Sequence, residues 1–286
     1  MSKKVFNKNW KKYADVWLKV TPPWRPSPFE VKKYSQFLQK EFGKKRNKHA
    51  LILGSTPEFR DLLNRHQFQV TCLDVNREMF QAMETVMKTE PTKERLKIGN
   101  WLDQPFKKNY FDLVISDEAL DNIAFKDYLS FHKNVYDYLK DGGYYLYGCY
   151  YLVNKSFLPK EIRSGKFKAL IEFYRKKPGW FKNFSNKEII YQAFINNHNK
   201  EYFDQQKWQI KFGWYEQSLL NFLKRKKIDQ AVYRALSFNL GLDAKFTQLY
   251  KGDYEKIFKK FFKIIQIDQD PSYSFHNKSL YIMKRK

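Results

Sequence analysis

ALILGSTPEFRDLL, residues 50–63, decides how the chain is read. Three aliphatics, Leu51, Ile52 and Leu53, run into Gly54, and Thr56-Pro57-Glu58 follows at once. Thr56 suits an N-cap, Pro57 the first helical position, and Glu58 the positive end of a helix. A strand that ends in glycine and turns straight into a helix is how many α/β proteins begin a nucleotide site. The usual version carries two more glycines, where this chain has a threonine and a glutamate. A pyrophosphate wants close backbone approach and no fixed negative charge nearby, so Glu58 argues against a dinucleotide. A ligand with a cationic end fits it better.

Outward from this turn, residues 48–150 alternate strand and helix. Short apolar runs at 49–54, 70–74, 96–100, 111–116 and 143–151 read as strands, and 57–65, 77–88 and 126–140 read as helices. Asp141-Gly142-Gly143 reads as a sharp turn into the fifth strand. Mostly apolar strands alternating with helices imply a parallel sheet covered on both faces, doubly wound through right-handed crossovers. Two later runs, 263–268 and 278–285, can pair antiparallel at the sheet edge. The N-terminal part, 1–47, reads as helices at 8–19 and 28–42 around TPPWRPSP (21–28), whose four prolines exclude helix and sheet. Between the core (48–154) and the terminal strands (256–286), residues 155–255 read as a helical insertion, with helices at 155–174, 185–196, 214–238 and 244–262.

In an open α/β sheet, ligands bind beyond the carboxyl ends of the strands. The second strand ends at Asp74, 20 residues after Gly54, the spacing at which an acid meets ribose hydroxyls. Asp74-Val75-Asn76 equally suits capping of the next helix. After the third strand stands Gly99-Asn100-Trp101, a polar edge for an adenine beside a flat apolar wall. The fourth strand ends in Ser116-Asp117-Glu118.

These features together resemble the class I S-adenosylmethionine-dependent methyltransferases. The similarity is greatest to a bacterial group with a Leu-Gly-x-Thr-Pro-Glu turn in place of the glycine-rich loop, here Leu53 to Glu58. Pro23-Trp24-Arg25-Pro26-Ser27 looks like the Pro-Trp-Arg-Pro-Ser segment that precedes the sheet in that group. The resemblance implies a seven-stranded, mostly parallel Rossmann-like sheet and S-adenosyl-L-methionine as cofactor. It implies that Gly54 and Thr56 take the methionine end and Asp74 the ribose. Asn100 and Trp101 would take the adenine, Arg25 beside Trp24 the carboxylate, and Glu58 the ammonium. Two positions depart from the pattern: Ile52 stands where an acid is usual, and Asn100 where an Asp is usual.

Methyl transfer asks the protein for orientation and sometimes a base. Asp117 and Glu118 are the candidate bases or acceptor-orienting groups, with helix capping as their structural alternative. No Pro-Pro-aromatic turn follows strand four, which argues against chemistry on exocyclic base nitrogens, and no Pro-Cys supports a cysteine nucleophile there. The five histidines show no ligand spacing, so no metal is expected. Cys72 and Cys149 lie in strand-like runs and read as core residues.

The net charge is +24: residues 1–150 carry 26 basic and 18 acidic side chains, and residues 151–286 carry 28 and 12. FYRKKPGWFKNF (173–184) interleaves cations and aromatics, and LKRKK (223–227) adds to the C-terminal excess. A nucleic acid or other polyanion suits such stretches, and A/T-rich codon usage explains the same composition. No signal peptide and no bilayer-length apolar run appear, so a soluble cytoplasmic protein with no membrane partner is expected. Three readings follow: a methyltransferase for a small molecule or peptide, one for RNA or another polyanion, and a non-catalytic basic binding protein on a degenerate methyltransferase fold. The acceptor and the oligomeric state are not legible.

Overall fold

The computed structural model describes residues 14, 17–18, 22, 25–90, 93–103, 105–153, 160, 167–177, 203–204, 206–237, 245–273 and 277–286. Its centre is a seven-stranded sheet of order β3-β2-β1-β4-β5-β10-β9. The strands are β1 His49–Leu53, β2 Gln69–Asp74, β3 Glu94–Ile98, β4 Phe111–Asp117, β5 Leu139–Tyr150, β9 Phe262–Gln269 and β10 Lys278–Arg285. The first five run parallel. β10 lies antiparallel to both β5 and β9. Strand order reverses between β1 and β4, which opens a crevice at their carboxyl ends.

Alternation along the strands builds two apolar layers. Ala50 and Ile52 of β1, Leu113 and Ile115 of β4 and Leu146 of β5 face one way, onto Tyr34, Leu38, Phe59 and Leu62. Those partners come from helices α1 (Pro28–Phe42) and α2 (Pro57–Arg65). Leu51, Leu53, Val114, Tyr145 and Tyr147 face the other way, onto Phe131, Val135, Tyr254 and Phe258. These belong to α4 (Tyr128–Tyr138) and α8 (Lys251–Phe261). The period of two in the strands and the apolar stripes of the helices therefore specify a three-layer sandwich.

α1 starts where the sequence expects because Ser27 caps it, its side chain accepting from Glu30 N at 3.0 Å, with Pro28 at the first position. α3 (Arg77–Glu84) is capped by Asn76, which accepts from Met79 N at 3.0 Å. It is one turn shorter than read. β3 sits two residues earlier than expected, which leaves Gly99 and Asn100 in the loop beyond it. Asp141-Gly142-Gly143 is not a separate turn but an irregularity within β5. The register slips between Phe111↔Leu139 and Leu113↔Tyr144, and Gly142 supplies a φ of +71°.

The insertion is not helical throughout. It contains α5 (Phe167–Lys176), α6 (Phe212–Lys224), α7 (Gln230–Leu236) and a small antiparallel sheet of β6 (Phe203–Asp204), β7 (Gln209–Lys211) and β8 (Lys245–Thr247). The single helix expected at 214–238 breaks because Asp229 caps a new one, accepting from Val232 N at 2.8 Å. The helix expected at 244–262 gives its first residues to β8. The expected helix 185–196 lies outside the described residues, as does most of 8–19. α5, α6 and α7 share a core of Leu170, Phe173, Tyr215, Leu219, Val232 and Leu236. The insertion docks beside the segment that follows β4. There Gln248 Nε2 donates to Asp121 Oδ2 at 3.2 Å, and the rings of Phe125 and Trp208 lie 6.3 Å apart.

One buried ion pair ties α2 to the sheet edge. Arg60 donates to Glu94 of β3 at 2.7 and 2.8 Å and to Phe80 O at 3.0 Å, with its guanidinium 4.0 Å from the Phe80 ring centre. Both side chains are withdrawn from solvent. Breaking such a pair strands a buried charge and costs about 3–5 kcal/mol, whereas an apolar pair of similar volume is nearly neutral. Arg60→Ala is therefore expected to lower unfolding stability by about that amount in denaturant titration, and Arg60→Met with Glu94→Leu is expected to recover most of it.

Candidate functional site

The turn after β1 takes a φ of +118° at Gly54, whose N–H donates to Leu73 O at 2.9 Å. A Cβ there would meet nothing within 4 Å, so the requirement for glycine is conformational, not steric. The next residue, Ser55, is buried and donates to Asp74 Oδ2 at 2.5 Å, while Asp74 Oδ1 accepts from Asn76 N at 2.9 Å. Asn76, not Asp74, caps α3. Burial pushes the Asp74 carboxyl up, against hydrogen bonds from Ser55 and from the backbone of Asn76 and Val75. Beside it, Val75 and Ile98 are large apolar side chains left 46% and 41% exposed. Gly99 N donates to Asp74 O at 3.1 Å and so brings the β3 loop to the end of β2.

Asn100 folds back on its own loop, accepting from Leu102 N at 3.1 Å. Trp101 is half-buried. Its Nε1 donates to Leu73 O at 2.9 Å and its ring stands edge-on to Phe131 at 6.4 Å. Thr56 occupies the N-cap position of α2 without a side-chain capping bond. Trp24 lies outside the described residues. Its neighbour Arg25 pairs with Glu58 at 2.5 Å and donates to Trp17 O at 3.0 Å, and Trp17 Nε1 donates to Glu58 Oε1 at 3.1 Å. Burial raises the Glu58 carboxyl, and its backbone hydrogen bond and Arg25 oppose the rise. Glu58 Oε2 is buried with no hydrogen-bond partner among the described residues. A cavity of about 1130 Å³ between α1 and α2 includes Arg25 and Glu58 in its wall. Asp74, Asn100 and Glu118 do not line it.

At the end of β4 the two expected acids belong to a buried charge cluster. Lys278, the first residue of β10, lies opposite Tyr150 of β5 and is fully buried. Its ammonium hydrogen-bonds Asp117, reaches Glu118 Oε1 at 2.9 Å and lies 3.3 Å from Glu30 Oε2. Gly148 makes room, because a Cβ there would collide with Glu30 and Asp117. Glu118 adopts φ 50°, ψ 25°, a left-handed conformation costing a non-glycine residue about 1–3 kcal/mol. Its N–H donates to Gly148 O at 3.0 Å. Asp121 follows in a 3₁₀ turn (Ala119–Asn122) and is also buried.

The electrostatics follow from burial. Burial pushes the Glu118 carboxyl up to about 7, against the attraction of Lys278. It also holds Glu30 and Asp121 well above the usual carboxylate range, helped by neighbouring acids. For Lys278, burial opposes the charge, but Asp117, Glu118 and Glu30 outweigh it and keep the ammonium protonated. His132 behaves as a core residue, its Nδ1 2.7 Å from Tyr128 O and its imidazole pushed down to about 4 by burial. Among the described residues no group of His, Cys, Asp and Glu side chains could hold a metal ion, and no helix is long and apolar enough to cross a membrane.

Sequence reasoning found Asp117 and Glu118 but missed Ser55, Glu30, Asp121, Gln248 and Lys278. Ser27-x-x-Glu30 has the form of a capping box. Its side chain instead turns toward Lys278. Lys278 stands 160 residues from Glu118, and a lysine at the start of an apolar strand was its only trace. The basic stretch 173–184 is described only as far as Lys177, where Phe173 packs into the insertion core. Lys224 to Lys227 are exposed.

A carboxyl raised from 4.5 to about 7 holds its proton longer in the folded chain than in the unfolded one. Its ionisation therefore lowers stability as pH rises through that window and leaves it low above. His132 acts in the opposite sense between about 4 and 6.5, so the test compares two proteins. Glu118→Gln is expected to gain stability over the wild type between pH 5 and pH 8 in thermal unfolding, and to show a smaller gain at pH 5.

Residues 53–143, under half of the chain, match the family model of a methyltransferase domain. No curated protein sequence matches the chain significantly. Among solved structures, a protein from Pyrococcus horikoshii superposes with TM-score 0.54 at 15% identity, covering 94% of this chain and 98% of that one. One from Rhodobacter sphaeroides, described as a candidate Zn-dependent alcohol dehydrogenase, gives 0.56 at 13% over 98% and 100%. The N-methyltransferase NodS from Bradyrhizobium japonicum, in complex with S-adenosylhomocysteine, gives 0.51 at 12% over 97% and 99%. At these identities the likeness shows the fold. The seven strands in the order 3-2-1-4-5-10-9, with the last pair antiparallel and a methyltransferase-domain match running from the end of β1 into β5, give this chain the Rossmann-like methyltransferase fold.

Proposed function

We propose that the protein is an S-adenosylmethionine-dependent methyltransferase for a small-molecule or peptide acceptor. The observation that carries this reading is the end of β2. There a half-buried carboxylate, Asp74, sits beside the Gly54-Ser55 turn and is flanked by two exposed aliphatics, Val75 and Ile98. An acid beside apolar walls suits a ribose attached to a flat base. Asp74 would accept from the ribose hydroxyls, Val75 and Ile98 would cover the faces of the adenine, and the Asn100 amide would meet its edge.

The methionine end of the cofactor carries both a carboxylate and an ammonium. Arg25 and Glu58 present the complementary pair of charges, and Glu58 keeps one buried oxygen unpartnered. Receiving the zwitterion would exchange one ion pair for two. The bound cofactor supplies an electrophilic methyl on a sulfonium, and the chain supplies position and a proton acceptor. Glu118, with a carboxyl near neutrality and 21% of its side chain exposed, is suited to take a proton from an acceptor at pH 7. Asp117 is almost wholly withdrawn behind it and holds Lys278. Carboxylates at this position repel phosphates, which favours a small molecule or peptide over an RNA backbone.

Calorimetric titration with S-adenosylhomocysteine tests the reading. Wild-type protein is expected to bind in the micromolar range, and Asp74→Ala to weaken binding on the order of tenfold or more, the loss of about two hydrogen bonds to a charged acceptor. Wild-type protein that takes no S-adenosylhomocysteine at millimolar concentration would overturn it.

A further inference from the structure

We infer that the acceptor is a cationic amine, seated with its nitrogen against Glu118 and Asp121 at the end of β4. This deepens the methyl-transfer reading and rests on it.

The charge balance at this place runs against that of the chain. In a protein of net charge +24, four acidic side chains, Glu30, Asp117, Glu118 and Asp121, gather around one ammonium, Lys278. The ammonium is already divided among three of them. The exposure of these side chains also has a direction. Lys278 and Glu30 are at 0%, Asp117 at 8% and Glu118 at 21%, so the cluster opens toward the crevice at Glu118.

A second observation points to a ligand independently. Asp121 is 5% exposed, and among the described residues its side chain accepts only from the neutral amide of Gln248. Its Oδ1 has no hydrogen bond among the described residues. The neighbouring acid it feels most strongly is Glu118. The hydroxyl of Tyr273 is likewise buried without a hydrogen-bond partner, and the charges acting on that hydroxyl are those of Lys278, Glu118, Asp117 and Glu30. Burial keeps Asp121 in its neutral form while it faces only a neutral amide, and an ammonium placed against it would stabilise the charged carboxylate. An anionic acceptor would meet several carboxylates at once, and a neutral one would leave Asp121 unsatisfied. Glu118 is also held in a left-handed conformation, the kind of local strain found where a side chain must be aimed.

The chemistry balances. An acceptor ammonium gives one proton to the Glu118 carboxylate and becomes a neutral amine. Its lone pair then forms the N–C bond to the methyl group. The S–C bond breaks with its electron pair going to sulfur, which turns the sulfonium into a thioether. The product is a methylated ammonium, and the proton leaves Glu118 to solvent. Asp121 would hold the charge of the acceptor and its product without taking part in the proton transfer.

The test uses the full chain with S-adenosylhomocysteine present and two matched probe series: butylamine, butan-1-ol and butyrate, and tyramine, tyrosol and 4-hydroxyphenylacetate. Calorimetry is expected to show the amines binding on the order of tenfold more tightly than the matching alcohol and acid. Asp121→Asn and Glu118→Gln, checked for folding by circular dichroism, are expected to remove that preference while leaving S-adenosylhomocysteine binding intact. Amines that fail to bind, alcohols or acids that bind as well, or a preference unchanged in both variants would overturn the inference. If S-adenosylhomocysteine binds and the amines do not, the inference alone fails. If the amines bind and S-adenosylhomocysteine does not, the cationic site stands and the methyl-transfer reading fails.

Discussion

A single buried ammonium holds together the part of this fold beyond the carboxyl end of β4. Lys278 opens the last strand, and its three carboxylates come from α1, from the end of β4 and from the residue just beyond it. Three separate parts of the chain thus meet at one charge. The antiparallel β10 makes this meeting geometrically accessible, because only a strand entering from the carboxyl edge places its first residue there. Gly148 of β5 leaves the space. Removing the lysine would leave several acids facing one another in a dry environment, so the position of Glu118 depends on a residue 160 positions away.

Around that point the two halves of the crevice differ in character. The half proposed to take the cofactor is built from backbone turns and apolar flanks: Gly54, the Asp74–Ser55 bond, Val75, Ile98 and the Trp101 clamp on Leu73. The half beyond β4, proposed to take the acceptor, is built from charge. The insertion joins it through Gln248 and Asp121, which gives a region far from the core in sequence a direct hold on the residues after β4.

Much of the fold was legible. α1 and α2 were bounded correctly because Ser27-Pro28 and Thr56-Pro57 are strong start signals, and β1, β2, β4, β9 and β10 because apolar or alternating runs end at polar residues. Where local signals compete, the reading failed. The Gly142-Gly143 pair marks an irregularity inside a strand, Asp229 splits what looked like one helix, and the strands of the small sheet are too short to carry a period. At the site, strand ends could be read and partners could not. The resemblance implies that Arg25 and Glu58 each meet the cofactor, and no sequence signal shows that they pair with one another. Glu118 gave no sign of its left-handed backbone, since nothing in a Ser-Asp-Glu-Ala run demands one.

The central claim is that the carboxyl ends of β1, β2 and β3 hold the cofactor. Amide hydrogen exchange with and without S-adenosylhomocysteine measures this most directly, because protection reports which backbone becomes ordered. Slowed exchange confined to residues 54–58, 74–76 and 98–102 is the expected result. Protection confined to the groove between α1 and α2, or no protection under saturating ligand, would contradict the account.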